Sequence, residues 1–177
     1  MKLALPVAAL AIASIGIAGC ETVMEQQAGI AATAQLKQRT GLPAGVASVF
    51  DEGGKLTVSV ALAGLSPGVH AVHLHTKGDC SAEDFTSAGG HLNPAGKQHG
   101  SLNPAGSHLG DLPNATLDSQ GKGVVSATLA GTSSEALAAL FDADGTAIVV
   151  HEKADDYRSD PAGDAGSRVA CGVLSMR

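Results

Sequence analysis

Aromatic side chains are scarce in this chain of 177 residues: none is Trp, one is Tyr and three are Phe. A core with so few rings must be lean, built mostly of Val, Ala and Leu, with Phe50, Phe85, Phe141 and Tyr157 as its large rings. Each small aliphatic side chain buries little area, so packing alone supplies less stability than usual. Positive charge is also short. Eleven Lys and Arg stand against seventeen Asp and Glu, a formal net charge of −6, and no basic stripe is present, which excludes a nucleic-acid partner. Long apolar runs are confined to the first residues. Leu3 to Ile17, broken by Pro6, Ser14 and Gly16, falls short of the ~20 residues that one spanning helix needs. A retained transmembrane helix is therefore the weaker reading of that run.

The N-terminus has a different use. Lys2, the apolar run and the small residues before Cys20 follow the order of a secretory signal peptide. The ending Ile17-Ala18-Gly19-Cys20 resembles the lipobox of bacterial lipoproteins. That resemblance implies a signal peptide over 1–19, an acylated Cys20, and a lipidated tether over 20–30, polar from Glu21 to Gln27. Residues 31–177 then form one domain. Loss of Lys2 leaves ten cations against seventeen anions, a net charge of −7. Export means an oxidising compartment that tolerates disulfides. With Cys20 taken by lipid, Cys80 and Cys171 remain for each other. Closing so long a loop contributes roughly 4–5 kcal/mol by chain-entropy arguments.

Past the tether the texture is alternating and β-branched. The spacing predicts strands over 31–38, 44–50, 56–62, 70–75, 115–117, 123–129, 147–150 and 169–174. Asp51-Glu52-Gly53-Gly54, Ser66-Pro67-Gly68, Asp118-Ser119-Gln120-Gly121 and Asp142-Ala143-Asp144-Gly145 punctuate them as turns. Short strands with regular turns indicate an all-β antiparallel sandwich or barrel. Residues 133–141 read as a short helical turn at most. Two stretches, 76–114 and 152–167, refuse strand assignment, and loops of that length in a small domain are functional or disordered.

All seven histidines gather on these loops and the strands beside them: His70, His73, His75, His91, His99, His108 and His151. His73 and His75 lie two apart on a predicted strand, so both rings leave the same face. His91, His99 and His108 follow in the first long loop, with Asp111 three residues after His108, and His151 closes the 147–150 strand. Neutral imidazole suits both copper and zinc. One His-x-His alone would be weak evidence for a metal. Six histidines and an aspartate spread over three segments form a metal constellation.

The stretches Pro67-Gly68-Val69-His70-Ala71-Val72-His73-Leu74-His75, Lys77-Gly78-Asp79-Cys80, Gly89-Gly90-His91-Leu92-Asn93-Pro94, Lys97-Gln98-His99-Gly100, His108-Leu109-Gly110-Asp111-Leu112-Pro113-Asn114 and Arg168-Val169-Ala170-Cys171-Gly172-Val173 resemble the Cu,Zn superoxide dismutase family. The resemblance runs from about Ala31 to the C-terminus with its spacings intact. It implies an eight-stranded antiparallel Greek-key β-barrel, a sandwich architecture with two long functional loops. One copper per chain would be held by His73, His75, His91 and His151, and one zinc by His91, His99, His108 and Asp111. His91 would bridge the metals as imidazolate and relay a proton, and Arg168 would attract and orient the small anion. Asp155 would link a copper-ligand ring to a zinc-ligand ring, Cys80 and Cys171 would clamp the first loop to the last strand, and His70 would be structural.

The implied activity is dismutation of superoxide to O₂ and H₂O₂, in defence of the cell envelope. The rival reading is an exported copper- or zinc-buffering or copper-delivery protein without turnover. Implied partners are superoxide, a membrane reached through the lipid, a second copy in a homodimer and a copper donor. The expected location is the periplasmic side of a bacterial envelope membrane, the outer one by preference because Glu21 follows Cys20. Lys97, Lys153 and Arg158 are candidate rim cations. Two departures stand out: Thr76 where a carboxylate is common, and Asp164 where Asn is familiar. Asp164 is expected to lie close to Arg168 and blunt anion steering.

Overall fold

Alternation of inward apolar and outward polar side chains decides the architecture, seen here in a computed structural model describing residues 29–177. The expected signal peptide, the acylated Cys20 and most of the tether lie outside the described residues. In chain order the elements are β1 (Ile30–Gln38), β2 (Pro43–Glu52), β3 (Lys55–Leu62), β4 (Gly68–His70), β5 (Val72–His75), β6 (Ala115–Leu117), β7 (Gly123–Thr128), α1 (Ser133–Leu140), β8 (Ala147–His151), β9 (Arg168–Val173) and β10 (Ser175–Met176). In β3, Leu56, Val58, Val60 and Leu62 are buried while Lys55 and Ala61 are exposed and Thr57 and Ser59 half-buried, the period of two that a half-buried strand requires.

The main sheet runs β5-β8-β9-β1-β2-β3-β7, with β10 also on β1, and β4 pairs with β6 in a second small sheet. Every pair is antiparallel. The jumps from β5 to β8, β9 to β1 and β3 to β7 are Greek-key connections. β6 lies against β7. At their junction Gly123 comes so close to β6 that a Cβ would stand 2.3 Å from the Thr116 carbonyl oxygen, so only glycine fits there. The β2–β3 hairpin turns on Gly53 and Gly54, with φ of 63° and 83°, the left-handed pair that a tight two-residue turn demands.

The all-β Greek-key architecture agrees with the expectation from sequence, and three details differ. The strand expected over 70–75 is two strands. Ala71 N–H donates to Lys153 O at 2.8 Å and Ala71 O accepts from His151 N–H at 2.9 Å, so the backbone leaves β6 at His70 and takes up β8 at Val72. Fusing β4 with β5 and leaving out the two-residue β10 recovers eight strands. Residues 133–140 form a true α-helix rather than a turn. Its N-terminus carries a capping box, Thr132 accepting from Glu135 N–H at 3.3 Å while Glu135 Oε2 accepts from Thr132 N–H at 2.8 Å. Finally, the main core buries no aromatic ring completely: Phe141 packs against it half-buried, Phe50 stands outside it, Phe85 belongs to a small separate cluster, and Tyr157 is half-buried.

Candidate metal centre

β5 and β8 are buried on both faces. Val72, Leu74, Ile148 and Val150 enter the main core. Cross-strand pairing sets His73 opposite Val149 and His75 opposite Ala147, and these four occupy the other face. There Ala147 and Val149 pack with Phe85, Ala88 and Cys171. The histidines thus stand on the outer wall of the barrel, roofed by the two long loops. The first loop returns along β5, where Leu74 N–H donates to Gly110 O at 2.9 Å and Leu92 N–H to Leu74 O at 2.8 Å. A Cβ on Gly110 would stand 2.3 Å from Leu74 O, so this close return requires glycine. It brings His91 beside His75 and Asp111 beside His73.

Two donor groups result. In the first, His73, His75, His91 and His151 each offer a nitrogen, all within 4.8 Å of one another. His73 Nδ1, His75 Nε2, His91 Nε2 and His151 Nε2 are buried and have no hydrogen-bond partner among the described residues. The opposite ring nitrogens are anchored: His73 Nε2 to Asp155 Oδ2 at 2.8 Å, His75 Nδ1 to Gly89 O at 2.9 Å, and His151 Nδ1 to Gly166 O at 3.2 Å. A carbonyl only accepts, so Nδ1 of His75 and His151 carries the proton and Nε2 presents a lone pair. Burial pushes the pKa of His75 down to about 2 and that of His151 to about 3. Burial also lowers His91 to about 4, against the opposing pull of Asp111. The rings are therefore held neutral, the form that binds a metal. Four convergent unpaired imidazoles fit copper.

The second group is closed. Asp111 Oδ1 stands 2.9 Å from His91 Nδ1 and 3.1 Å from both His99 Nδ1 and His108 Nδ1, with His108 Nδ1 3.4 Å from His91 Nδ1. A tetrahedral ion with bonds near 2.0–2.1 Å has ligand–ligand edges of about 3.3 Å, so three imidazoles and one carboxylate at these spacings fit zinc. Asp111 Oδ2 accepts from Gly100 N–H and His108 N–H, each at 2.9 Å. Burial alone would raise the Asp111 carboxyl, but these bonds and that of His91 hold it well below the usual carboxylate range. His91 belongs to both groups, with one ring nitrogen in each. Asp155, 3% exposed, joins them a second way, meeting His73 through Oδ2 and His99 Nε2 through Oδ1 at 2.9 Å.

Beside the first group lies a cavity of about 370 Å³ lined by His75, His91, His151, Lys97, Asp160 and Arg168 among others. The Arg168 guanidinium donates to Phe85 O at 2.6 Å and Gly89 O at 2.7 Å. Half-buried and doubly anchored, it presents a fixed positive charge to that cavity.

Residues 44–174 match the copper/zinc superoxide dismutase (SODC) family. The chain belongs to that family. It is 40% identical to a superoxide dismutase [Cu-Zn] of Caulobacter vibrioides over 93% of this chain and 97% of that protein. Its fold is similar to the crystal structure of a SOD-like protein from Bacillus subtilis, with TM-score 0.75 and 36% identity over 82% of this chain and 99% of the other. A Cu/Zn superoxide dismutase from Brucella abortus matches with TM-score 0.63 and 28% identity, covering 81% and 98% of the two chains. Membership makes the protein an oxidoreductase of the copper- and zinc-dependent class, and each family metal has a fitting donor set here.

The histidines and Asp111 that the sequence marks as ligands all meet in the two groups. His70 joins neither. Its ring is buried between His151 O at 2.8 Å and Ser66 O at 2.9 Å, a structural post as expected. Cys80 and Cys171 form a disulfide with Cα atoms 5.9 Å apart. Of the expected rim cations, Lys97 lines the cavity, whereas Arg158 reaches Leu102 O at 3.3 Å and neither it nor Lys153 contributes to the wall. Burial lowers the Arg168 pKa from its ordinary value, against the opposing pull of the Asp84 charge. Asp164 is exposed, left-handed at φ 50°, and outside the cavity wall.

Three contributors escape sequence reasoning. Gly89 O accepts from both His75 and Arg168, tying a ligand ring to the cation. Asp160 Oδ1 accepts from His99 N–H at 2.6 Å. Gly163, at φ +67°, leaves room for the Asp155–His99 bond: a Cβ there would stand 2.0 Å from Asp155 Oδ1. A glycine in the Pro161-Ala162-Gly163-Asp164 turn is the sequence signal for the last of these, since glycine readily adopts positive φ.

Proposed function

We propose that the protein dismutates superoxide at copper held by His73, His75, His91 and His151. In this reading zinc would be held by His91, His99, His108 and Asp111, and His91, with a nitrogen in each group, would serve both metals as imidazolate. One observation carries the reading: His91 Nδ1 faces Asp111 while its Nε2 stands unpaired in the four-nitrogen group, beside a cavity that also contains Arg168. Bound copper would supply one-electron redox chemistry, by which one superoxide is oxidised to O₂ and a second, taking the electron and two protons, is reduced to H₂O₂.

The chain's own residues do the rest. Arg168 attracts the anion into the cavity and orients it, its guanidinium held still by Phe85 O and Gly89 O. His91 Nε2 takes up one proton and passes it to the outgoing peroxide, the second coming from water in the open cavity, while Nδ1 remains in the second group and keeps the ring placed. Asp155 fixes His73 and His99 together, so neither ring rotates as His91 Nε2 gains and loses its proton. The net charge of −6 does not oppose an anionic substrate, because a narrow cavity with a fixed cation focuses the local field. Lys97 adds a second positive charge to its wall. The lipid-anchored export expected from residues 1–20 suits protection of envelope components.

The test is superoxide dismutation by the domain beginning at Glu21, with copper and zinc measured on the same sample. Fast turnover with about one copper and one zinc per chain supports the reading. Full loading with negligible turnover would move the protein to metal buffering or delivery. Mass spectrometry of the mature N-terminus checks the anchor separately: an unmodified Cys20 would remove it.

A further inference from the structure

We propose that Asn114 and Tyr157 are positioning residues that hold Asp155, and through it both metal groups, in register. This inference rests on the functional reading above and adds a third layer to the site. Asp155 is the only carboxylate that touches a ring of each group, among the described residues, without belonging to the tetrahedral set. Its own placement therefore sets the relative orientation of His73 and His99. Something must fix it, because it sits at the start of a long loop with no regular pairing around it.

Asn114 grips the Asp155 backbone on both sides. Asn114 Oδ1 accepts from Asp155 N–H at 2.8 Å, and Asn114 Nδ2 donates to Asp155 O at 2.9 Å. This is the paired contact one backbone makes with another in a sheet, made here by a side-chain amide. Tyr157 completes the grip. Its N–H donates to Asp155 Oδ1 at 2.6 Å, the same oxygen that meets His99, and its phenol oxygen accepts from Asn114 N–H at 2.8 Å. The carbonyl of Tyr157 accepts from Leu102 N–H at 3.0 Å. Tyr157 is itself left-handed at φ 61°, a conformation a bulky residue adopts only where its surroundings impose it. Gly100 lies so close that a Cβ would stand 2.1 Å from Tyr157 O.

The three residues thus close a ring of bonds joining the first loop, the start of β6 and the second loop around one carboxylate. Loss of the Tyr157 phenol leaves Asn114 N–H without its partner, and loss of the Asn114 amide frees the Asp155 backbone. In either case the carboxylate shifts and both rings lose their shared anchor. Partners that orient ligand rings typically contribute 10–100-fold to metal affinity, so the effect falls on both metals together.

The experiment measures zinc and copper dissociation constants by chelator competition on the full mature protein, for wild type, Tyr157→Phe and Asn114→Ser. Each change is then repeated in an Asp155→Asn background. Both constants should rise about tenfold in each single variant, and neither change should add to the loss already present with Asp155→Asn. Constants unchanged in the single variants overturn the proposal, as does a loss of equal size in the Asp155→Asn background, which marks a merely structural role. Asn114→Ser serves if Tyr157→Phe fails to fold. Wild-type protein that binds neither metal would sink the functional reading itself, an outcome distinct from intact binding indifferent to these residues.

Discussion

The two faces of β5 and β8 show two ways of stabilising buried surface. The inner face carries Val72, Leu74, Ile148 and Val150, whose burial is favourable whatever the solution contains. The outer face carries His73, His75 and His151, equally hidden from water but each with one ring nitrogen that no group among the described residues satisfies. Burying a polar atom without a partner is costly, so the outer face needs its metals, its disulfide and its loop contacts. One strand pair thus separates a scaffold that packing alone stabilises from a site whose unpaired ring nitrogens gain a partner when metal binds.

Reducing Cys80–Cys171 should disturb the roof most. The bridge closes 91 residues, and its loss should lower stability by about 4–5 kcal/mol by chain-entropy arguments, also loosening Phe85 and Gly89 from Arg168. A melting temperature unchanged in the reduced, metal-loaded protein would count against it. Leu74→Ala attacks the inner face instead and should cost about 2–5 kcal/mol, by nearly the same amount with and without metals, because the Leu74 side chain enters the main core on the face opposite the ligand rings. Calorimetry of both forms checks this side-chain effect, the Leu74 backbone bonds to Gly110 and Leu92 being kept in the variant, and a loss confined to the metal-loaded protein would break the contrast between the faces.

Acid should distinguish the faces next. The folded protein holds His75, His151 and His91 neutral, with pKa values lowered to about 2, about 3 and about 4 from 6.5. The unfolded chain binds protons to these rings from pH 6.5 downward, so stability present above that pH is lost as pH falls towards the folded values. For His91 alone the loss by pH 4 is on the order of 3 kcal/mol. Urea titrations of metal-free protein between pH 7.5 and 4.5 should show a falling midpoint, and a flat profile would contradict buried neutral rings. Arg168→Glu should reduce kcat/KM about a hundredfold, since a field that concentrated the anion now repels it, with copper content retained. Copper lost along with rate would mean that Arg168 holds the roof rather than the substrate. The smallest effect is expected from Gly163→Ala. Its Cβ would press on Asp155 and His99 at a positive φ, for about 1–3 kcal/mol and weaker zinc binding; an unchanged zinc constant would show that the turn simply gives way.

The scaffold was readable because β2, β3 and β7 keep one face wet, so alternation shows in their side chains. β5 and β8 are buried on both sides, and no alternation marked the break at Ala71. Histidine spacing revealed both donor groups, since ligand chemistry restricts residue type. The helix at 133–140 was underestimated because its Ala-rich face buries little, although Thr132 and Glu135 spelled out its cap. Asp164, expected to blunt anion steering, stands exposed in a left-handed turn outside the cavity wall. Contacts through Gly89, Asn114 and Tyr157 link residues 14 to 79 positions apart by common side-chain or carbonyl groups, and such groups carry no signature of their partner.

The position of Tyr157 has an optical consequence. The chain has no Trp and one Tyr, so its near-ultraviolet absorption and emission come almost wholly from a single phenol whose oxygen accepts from Asn114 N–H. Most proteins spread that signal over many rings and report an average. Here the natural chromophore reports one place, where the two loops meet over the ligand rings, without any label being introduced.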